Sequence, residues 1–365
     1  MIGALRAAYD RFRGAGAAAV TVPPMDGALR PNTVLDDAAV VASLPAPDNL
    51  VSHGSRLWLS SGPEVYVIED LAAGGTPQLW SGFPASVSCL AAGPDGALAV
   101  GLSGTGIEIR GGIHGDKALA TVSGRPIDCP VAVAFVDQNT VLLCLGSARH
   151  RPEDWKRDLM SRGATGSVWQ VDLATGAGQC LGDGLRFPFG LVAHGARVVV
   201  AESWSHRLIA LDARGGRSTV LDDLPGYPAR LSAAGGGGFW LSVFAPRDQL
   251  VEFILQERSF CGRMMSEVEP EYWMAPALAT GVTFLEPLQG GAIRQLGKLK
   301  PWAPSRSYGL LVRLDANFQP VASYHSRADG RRHGITSAVE VAGRVVLTSK
   351  GGNAVIAVSP DAEGA

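Results

Sequence analysis

The stretch GLVAHGARVVVAESWSHRLIALD, residues 190–212, decides the fold of this chain. It contains an apolar strand, a glycine turn, a second apolar strand, a Ser-rich bend and a third apolar strand. The same pattern starts again at Leu50, Cys89, Ala132, Arg230 and Ser337. One such unit cannot bury both faces of its sheet, so the six units are expected to stack radially around one axis. The repeat predicts an all-β protein, a six-bladed β-propeller with four-stranded blades.

The spacing of the copies supports one blade per copy. Their first turns lie at Gly54, Gly96, Asn139, Gly195, Gly237 and Gly343. The intervals are 42, 43, 56, 42 and 106 residues, and a four-stranded blade takes roughly 40–50. The two long intervals predict insertions at about residues 147–166 and 254–307.

The apolar segment AAVVASLP, residues 38–45, predicts how the ring closes. The residues after the last copy, SPDAEGA, are too polar for another strand, so the N-terminal segment is expected to complete the last blade. Such pairing removes an exposed sheet edge. We therefore predict a propeller over residues 36–365 and an N-terminal extension, residues 1–35, that carries a short helix.

Composition and charge exclude some classes of function. The formal net charge is −2 and no basic stripe is visible, which argues against nucleic acid as a partner. No apolar stretch is long enough to span a membrane. The five cysteines show neither metal-ligand spacing nor a disulfide pattern, and a reducing cytoplasm is the expected location.

The second insertion, residues 254–307, has its own pattern. Met264, Met265 and Val268 have helical spacing, and the aromatic pair Tyr272 and Trp273 follows. Loops of this length in a compact fold are usually functional. We expect a partly helical lid over the funnel mouth; a homodimer contact through the same segment is the alternative.

Four segments resemble the strictosidine synthase-like branch of the gluconolactonase and paraoxonase superfamily. They are GSVWQVDLATGAGQCLGDGL (166–185), RFPFGLVAHGARVVVAESWSHRLIALDA (186–213), DDLPGYPARLSAAGGGGFWLSV (222–243) and YGLLVRLDANFQPVASYHS (308–326). The resemblance covers about residues 36–365. It implies a six-bladed propeller with a central funnel, and it is specific for the fold rather than for a substrate.

Calcium-dependent lactonases of this superfamily hold their metal on loops just before the innermost strands. The four matching loops here carry Asp48 and Asn49, Cys129 and Pro130, Phe189, and Ala229 and Arg230. Calcium prefers six to eight oxygen ligands, and most of these side chains offer none. We expect no metal site of the lactonase kind. A weak residual calcium site on Asp48 and backbone carbonyls is the alternative.

The resemblance to this branch also implies a second kind of chemistry, that of strictosidine synthase, whose site is metal-free and has one glutamate before the inner strand of the last blade. That place falls at or near Thr336 in this chain, and Glu340 stands four residues further on, inside the strand. The base for a Pictet–Spengler condensation is therefore missing from the matching position.

Loops before the inner strands and loops between second and third strands are expected to share the funnel mouth. Among these residues, Asp48 and His333 are the candidate catalytic groups, because a carboxylate and an imidazole can exchange protons. The candidate substrate-binding residues are Asn49, Cys129, His150, Phe189, Trp204, His206, Arg230, Arg247, Thr336 and Lys350. Packing alone would also explain several of them, Trp204 above all. The cations and aromatic rings favour an anionic or aromatic small molecule.

Three functions remain open at this point. The first is metal-independent hydrolysis of an ester or lactone, or related carbonyl chemistry, and the sequence favours an enzyme of this kind. The second is a Pictet–Spengler-type or C–N bond condensation. The third is a propeller that binds a ligand or protein without catalysis.

Overall fold

The chain forms a closed ring of six antiparallel blades in the computed structural model, which describes residues 21–71, 74–283, 285–287, 294–295, 298–299 and 305–362. The strands of the first half are β1 (Ala39–Ser43), β2 (Pro47–His53), β3 (Arg56–Ser61), β4 (Glu64–Ile68), β5 (Gln78–Gly82), β6 (Val87–Ala92), β7 (Leu98–Leu102), β8 (Gly106–Arg110), β9 (Lys117–Leu119), β10 (Thr121–Val122), β11 (Arg125–Pro126), β12 (Pro130–Phe135), β13 (Thr140–Leu145), β14 (Gly166–Asp172) and β15 (Gly178–Leu185).

The second half continues the same arrangement. Its strands are β16 (Pro188–His194), β17 (Arg197–Glu202), β18 (Arg207–Asp212), β19 (Arg217–Leu221), β20 (Gly226–Ala233), β21 (Phe239–Pro246), β22 (Arg294–Gln295), β23 (Lys298–Leu299), β24 (Gly309–Leu314), β25 (Pro320–Ser326), β26 (Ile335–Val341), β27 (Arg344–Ser349) and β28 (Ala354–Val358). The helices are α1 (Trp155–Met160), α2 (Gln249–Ile254) and α3 (Arg258–Glu267), with 3₁₀ turns at Gly27–Leu29, Pro152–Asp154, Ser203–Ser205 and Pro270–Tyr272.

Each blade begins with its strand nearest the axis. From the inside outward the blades are β2-β3-β4-β5, β6-β7-β8-β9, β12-β13-β14-β15, β16-β17-β18-β19, β20-β21-β24-β25 and β26-β27-β28-β1. Each of the six inner strands contacts the inner strands of both neighbouring blades, which closes the circle. The predicted six-bladed fold is confirmed.

The predicted closure by the N-terminal strand is also present. β1 pairs antiparallel with β28, from Ala39 opposite Ala357 to Ser43 opposite Ala354. The two ends of the chain thus share one sheet. The segment ALRAAYDRFRG, residues 4–14, in which the short helix of the extension is predicted, lies outside the described residues, whereas Leu35 of the extension is fully buried against the fifth and sixth blades.

Burial of the strands falls from the axis outward. Every residue of β7 is buried, whereas four of the five residues of β5 are exposed. Among the described residues, buried apolar side chains form six clusters, each at a junction between adjacent blades. Apolar side chains are therefore buried mainly between neighbouring blades. This is why a single repeat could not fold by itself.

All six inner strands carry a β-bulge near their first residues. The register of pairing shifts between Val87 and Cys89 in β6, and the other five inner strands shift at the corresponding place. A bulge leaves one residue unpaired in the ladder and re-aims it. The residues left unpaired, or next to the unpaired ones, are Asp48, Ser88, Val131, Phe189, Arg230 and Thr336.

The two insertions lie in connections between second and third strands, on one side of the ring. The first contains the 3₁₀ turn Pro152–Asp154 and α1, and the second contains α2, α3 and the β22–β23 hairpin. α1 contacts α3, so the insertions pack on each other. Farther along, the carbonyl oxygen of Leu278 lies where a Cβ at Gly351 would be, so the second insertion reaches the sixth blade at a position that requires glycine.

Candidate functional site

The bulged ends of the inner strands surround a cavity of about 300 Å³ at the funnel mouth. Loops that precede the inner strands and loops between second and third strands both contribute to this cavity. The two insertions contribute Glu153, Trp155 and Leu278. The cavity wall contains a polar part, built around an ion-paired carboxylate, and an aromatic part.

The polar part of the wall is built around Asp48, at the start of β2. Its carboxylate receives a hydrogen bond from Nη1 of Arg230 at Oδ1 and one from Nζ of Lys350 at Oδ2, each 2.8 Å long. The backbone N–H of Asn49 also donates to Oδ1, at 2.8 Å. Asp48, Arg230 and Lys350, called here the axial cluster, come from the first, fifth and sixth blades.

The charge state of Asp48 follows from this environment. Burial alone would raise the pKa of Asp48, but the positive charges of Arg230 and Lys350 outweigh burial and hold the pKa well below its usual range. A carboxylate so stabilised is a weak proton acceptor at neutral pH. Asp48 is therefore suited to fixing the two cations rather than to acting as a general base.

Both terminal nitrogens of the Arg230 guanidinium donate to the protein, whereas its buried Nε has no hydrogen-bond partner among the described residues. Besides Asp48, its terminal nitrogens donate to the carbonyl oxygens of Ser88, Val131 and Thr336, at 2.7, 3.3 and 3.3 Å. Its Cζ lies 4.9 Å from the ring centroid of Phe189. Arg230 thereby closes the floor of the cavity, and it also lines a second cavity, which lies farther along the axis between the inner strands of all six blades.

Lys350 is the cation that faces the cavity. It lies in the connection between β27 and β28, and its side chain is 32% exposed. Among the described residues its ammonium has one ion-pair partner, Asp48. An ammonium carries three N–H donors, so Lys350 can also donate to a bound molecule.

The aromatic part of the wall is a packed set of rings from the third to fifth blades. Trp204 stacks on Phe187 with a centroid distance of 4.5 Å, and Phe244 meets Trp155 and Phe189 edge-on at 5.3 and 5.7 Å. The indole N–H of Trp204 donates to Oδ2 of the buried Asp158 at 2.8 Å. These contacts fix the rings before any ligand arrives, which favours flat apolar or aromatic molecules.

Glu153 and Ser103 complete the rim, and the sequence analysis did not identify either. The hydroxyl of Ser103 donates to Oε2 of Glu153 at 2.6 Å, and both residues line the cavity. No ion pair to Glu153 occurs among the described residues. The available sequence signal was the acidic Pro-Glu-Asp turn in an insertion that the repeat places at the mouth.

The structure brings together six of the residues predicted for the site. Asp48, Phe189, Trp204, Arg230, Thr336 and Lys350 line the cavity, Asp48 from the catalytic set and the rest from the binding set. Thr336 contributes mainly through its carbonyl oxygen, since its hydroxyl is 3.0 Å from the hydroxyl oxygen of Thr348.

His333 does not line this cavity. Its Nε2 lies 2.7 Å from the carbonyl oxygen of Arg327 and its Nδ1 lies 2.7 Å from Oγ of Ser307. A carbonyl only accepts, so Nε2 carries the proton and Nδ1 accepts from the serine. Burial lowers the pKa of His333, which keeps the ring neutral in a structural role.

Five other predicted residues lie outside the cavity. Asn49 is buried and its amide donates to Oγ of Ser60, and Cys129 is fully buried with its thiol pKa raised by burial. His150 pairs with Asp158 at 3.0 Å. His206 and Arg247 line a separate cavity of about 650 Å³ beside the fourth blade, where both approach Glu252.

The axial position does not fit a calcium ion, because the guanidinium of Arg230 occupies the space between the bulged residues. The oxygens that point there already accept hydrogen bonds from that cation. Among the described residues, no three His, Cys, Asp or Glu side chains are grouped so that they could hold a metal ion.

Comparison with known proteins supports the fold. No protein-family model matches the chain. The chain is 24% identical over 268 residues to the adipocyte plasma membrane-associated protein of Salmo salar, 29% over 117 residues to that of Danio rerio and 27% over 161 residues to that of Bos taurus. The salmon match covers 64% of each chain, so this chain spans a little under two thirds of that relative.

Solved structures of the same architecture match nearly the whole chain. A gluconolactonase from Xanthomonas campestris is 13% identical with a TM-score of 0.55, and the match covers 92% of this chain and 97% of that one. Regucalcin from Agrobacterium tumefaciens, a calcium-binding protein, is 12% identical with a TM-score of 0.54 and coverages of 88% and 92%. The six-bladed propeller common to these proteins is therefore present here, and the strictosidine synthase-like branch stays a prediction.

None of the described helices is both long enough and apolar enough to span a bilayer. The predicted cytoplasmic location stays a prediction, as does the absence of nucleic-acid partners.

Proposed function

We propose that the axial cavity binds a small molecule with a flat apolar body and a polar carbonyl end, and hydrolyses an ester or lactone bond in it. The observation that carries this proposal is that the cavity wall combines aromatic rings with the charged groups of Lys350, Asp48 and Glu153. Such a wall orients a ligand, because its apolar part leaves water against the rings while its polar end meets the charged groups.

Two proteins of similar structure are named as gluconolactonases, and this supports hydrolysis over condensation as the proposed reaction. A putative gluconolactonase matches with a TM-score of 0.54 at 11% identity, and the Xanthomonas campestris enzyme is a gluconolactonase. At this identity the likeness concerns the fold, so the reaction proposed for this chain depends on its own residues.

Glu153 is the proposed general base. Its carboxylate takes a proton from a water molecule as the water oxygen bonds to the carbonyl carbon, and Lys350 donates a hydrogen bond to the oxygen that becomes negative. The bond from this carbon to the alkoxide oxygen then breaks, and Glu153 returns the proton to the alkoxide. The products are a carboxylic acid and an alcohol. Ser103 holds the carboxylate of Glu153 in place, and Asp48 holds Lys350.

A panel of lactones and aryl esters tests the proposal, with Glu153→Gln as the variant. Loss of the base is expected to lower kcat by about 100-fold or more. The matched control is Asp154→Asn, which removes the neighbouring exposed carboxylate of the same 3₁₀ turn and is expected to leave kcat unchanged. A wild-type protein that hydrolyses no member of the panel, or a Glu153→Gln variant with full kcat, contradicts the proposal.

Ligand binding without catalysis is the second candidate, and the ion-paired state of Asp48 favours it. The carboxylate that sequence analysis selected as catalytic is occupied by two cations. Quenching of Trp204 and Trp155 fluorescence by ligands that are not turned over would distinguish binding from hydrolysis. The predicted condensation of an amine with a carbonyl is tested in the same assay with amine–aldehyde pairs.

A further inference from the structure

The guanidinium of Arg230, a residue of the fifth blade, contacts all five of the other blades. It donates to Asp48 of the first blade and to the carbonyls of Ser88, Val131 and Thr336 in the second, third and sixth. It lies over the ring of Phe189 from the fourth blade, and the fifth blade supplies Arg230 itself. One side chain thus connects all six blades at the axis.

The bulges explain why these oxygens point at a cation. Ser88, Val131 and Thr336 are unpaired in the ladders of β6, β12 and β26. Since a backbone carbonyl without a ladder partner needs another donor, the three carbonyls turn toward the axis. Together with Oδ1 of Asp48 they form a buried set of four oxygens, called here the axial oxygen cage.

We propose that Arg230 is the built-in axial cation of this propeller, and that the axial oxygen cage accepts a hard metal cation such as calcium when the guanidinium is removed. The inference does not depend on the proposed hydrolysis. A carboxylate and three carbonyls are ligand types that calcium binds, and water or a new side-chain oxygen can complete the six to eight that it prefers. The wild-type chain instead satisfies the cage with its own donor.

Terbium luminescence tests this inference directly, because Trp155 and Trp204 line the cavity above the cage and can transfer excitation to a bound lanthanide. The variant is Arg230→Asn, which replaces the cation by an amide oxygen. Sensitised emission is expected to rise at least tenfold over wild type, to be competed away by calcium, and to be lost in the double variant Arg230→Asn with Asp48→Asn.

Arg247→Asn is the matched control. Arg247 is also a buried arginine, and it approaches the acids Asp223 and Glu252, but it lies beside the fourth blade and away from the axis. Its replacement is expected to leave terbium emission and calcium response at wild-type levels.

Thermal unfolding gives a second, independent measurement. Calcium is expected to raise the Tm of Arg230→Asn by several degrees and to leave that of wild type unchanged, because a ligand stabilises only the state that binds it. If Arg230→Asn is unfolded without metal, recovery of its native circular dichroism in calcium supports the inference and no recovery overturns it. A folded Arg230→Asn without terbium emission, or wild-type emission that requires Asp48, also overturns it.

Discussion

Two buried carboxylates in this propeller each bind two cations, and they do so in different ways. Asp48 of the axial cluster binds Arg230 and Lys350, whose sequence separations from it are 182 and 302 residues. Glu202 binds Arg207 and Arg217, which are 5 and 15 residues away. Glu202, Arg207 and Arg217, called here the blade-four cluster, lie on adjacent strands of one sheet.

The two clusters differ in what surrounds them as well. Arg207 and Arg217 have side chains that are 28% and 36% exposed, whereas the side chain of Arg230 is 13% exposed. Asp48 lines a cavity with an aromatic wall, whereas Glu202 accepts a hydrogen bond from the backbone N–H of Arg186, in the connection that leads into its own blade. One acid with two cations is therefore not by itself a site. The cavity and the convergence of several blades distinguish the axial cluster.

The first and largest expected difference is in stability. Asp48→Asn removes the charge that neutralises a buried guanidinium, and this is expected to lower the free energy of unfolding by about 3–5 kcal/mol. Glu202→Gln leaves arginines that can turn toward water, and about 1–2 kcal/mol is expected. Urea unfolding of both variants measures the difference. Equal losses would mean that the two clusters are energetically alike.

Acid unfolding sharpens the same comparison. The pKa of Asp48 is lowered in the folded state, so its contribution to stability is complete above its unfolded pKa of about 3.9 and is lost as the pH falls toward the lower folded value. The difference in unfolding free energy between wild type and Asp48→Asn is therefore expected to shrink as the pH falls below about 4. Urea titrations between neutral and acid pH test this, and a difference that grows with acidity would contradict it.

Ligand binding is expected to depend on the axial cluster alone. Lys350→Met keeps the length of the side chain and removes its charge, which is expected to weaken binding of a carbonyl or anionic ligand by about tenfold, equivalent to about 1.4 kcal/mol. Arg217→Met is the matched change in the blade-four cluster and should leave the ligand Kd unchanged. Fluorescence titration measures both, and a similar loss in the two variants would remove Lys350 from the proposed site.

Salt is expected to give the smallest difference. Ion pairs that reach solvent are screened by added salt and buried pairs much less. The destabilisation caused by Arg217→Met is therefore expected to shrink by a few tenths of a kcal/mol in 0.5 M salt, with that of Asp48→Asn unchanged. Urea unfolding at two ionic strengths is the measurement; an Asp48→Asn effect that falls more steeply would show that the axial pair is hydrated.

Much of the fold could be predicted because its determinants are local. Apolar strands and turns such as Gly343, whose φ of 70° suits glycine, recur at the period of a blade. The same period placed Phe189, Arg230 and Thr336 at the starts of inner strands, where the bulges turn them to the axis.

The remainder of the site could not be predicted because it depends on contacts across the ring. No local pattern shows that Arg230 meets Asp48, since the pair forms only when the fifth and first blades share an axis. Glu153 lies in an insertion that is not part of the repeated pattern, so the other copies do not predict its position. For His333 the repeat gave the position near the mouth, but packing directs the side chain to Ser307 and Arg327 instead.

The pairing of β1 with β28 has a consequence for how the chain is made. On a ribosome, residues 39–43 emerge early and must wait for residues 354–358, roughly 310 residues later, before their sheet exists. Blades one to five can form in order during translation, while the early strand keeps an open, apolar edge. Completion of the last sheet is a long-range step of high contact order, so it is expected to set the rate of folding and to be the stage at which a nascent chain most needs a chaperone.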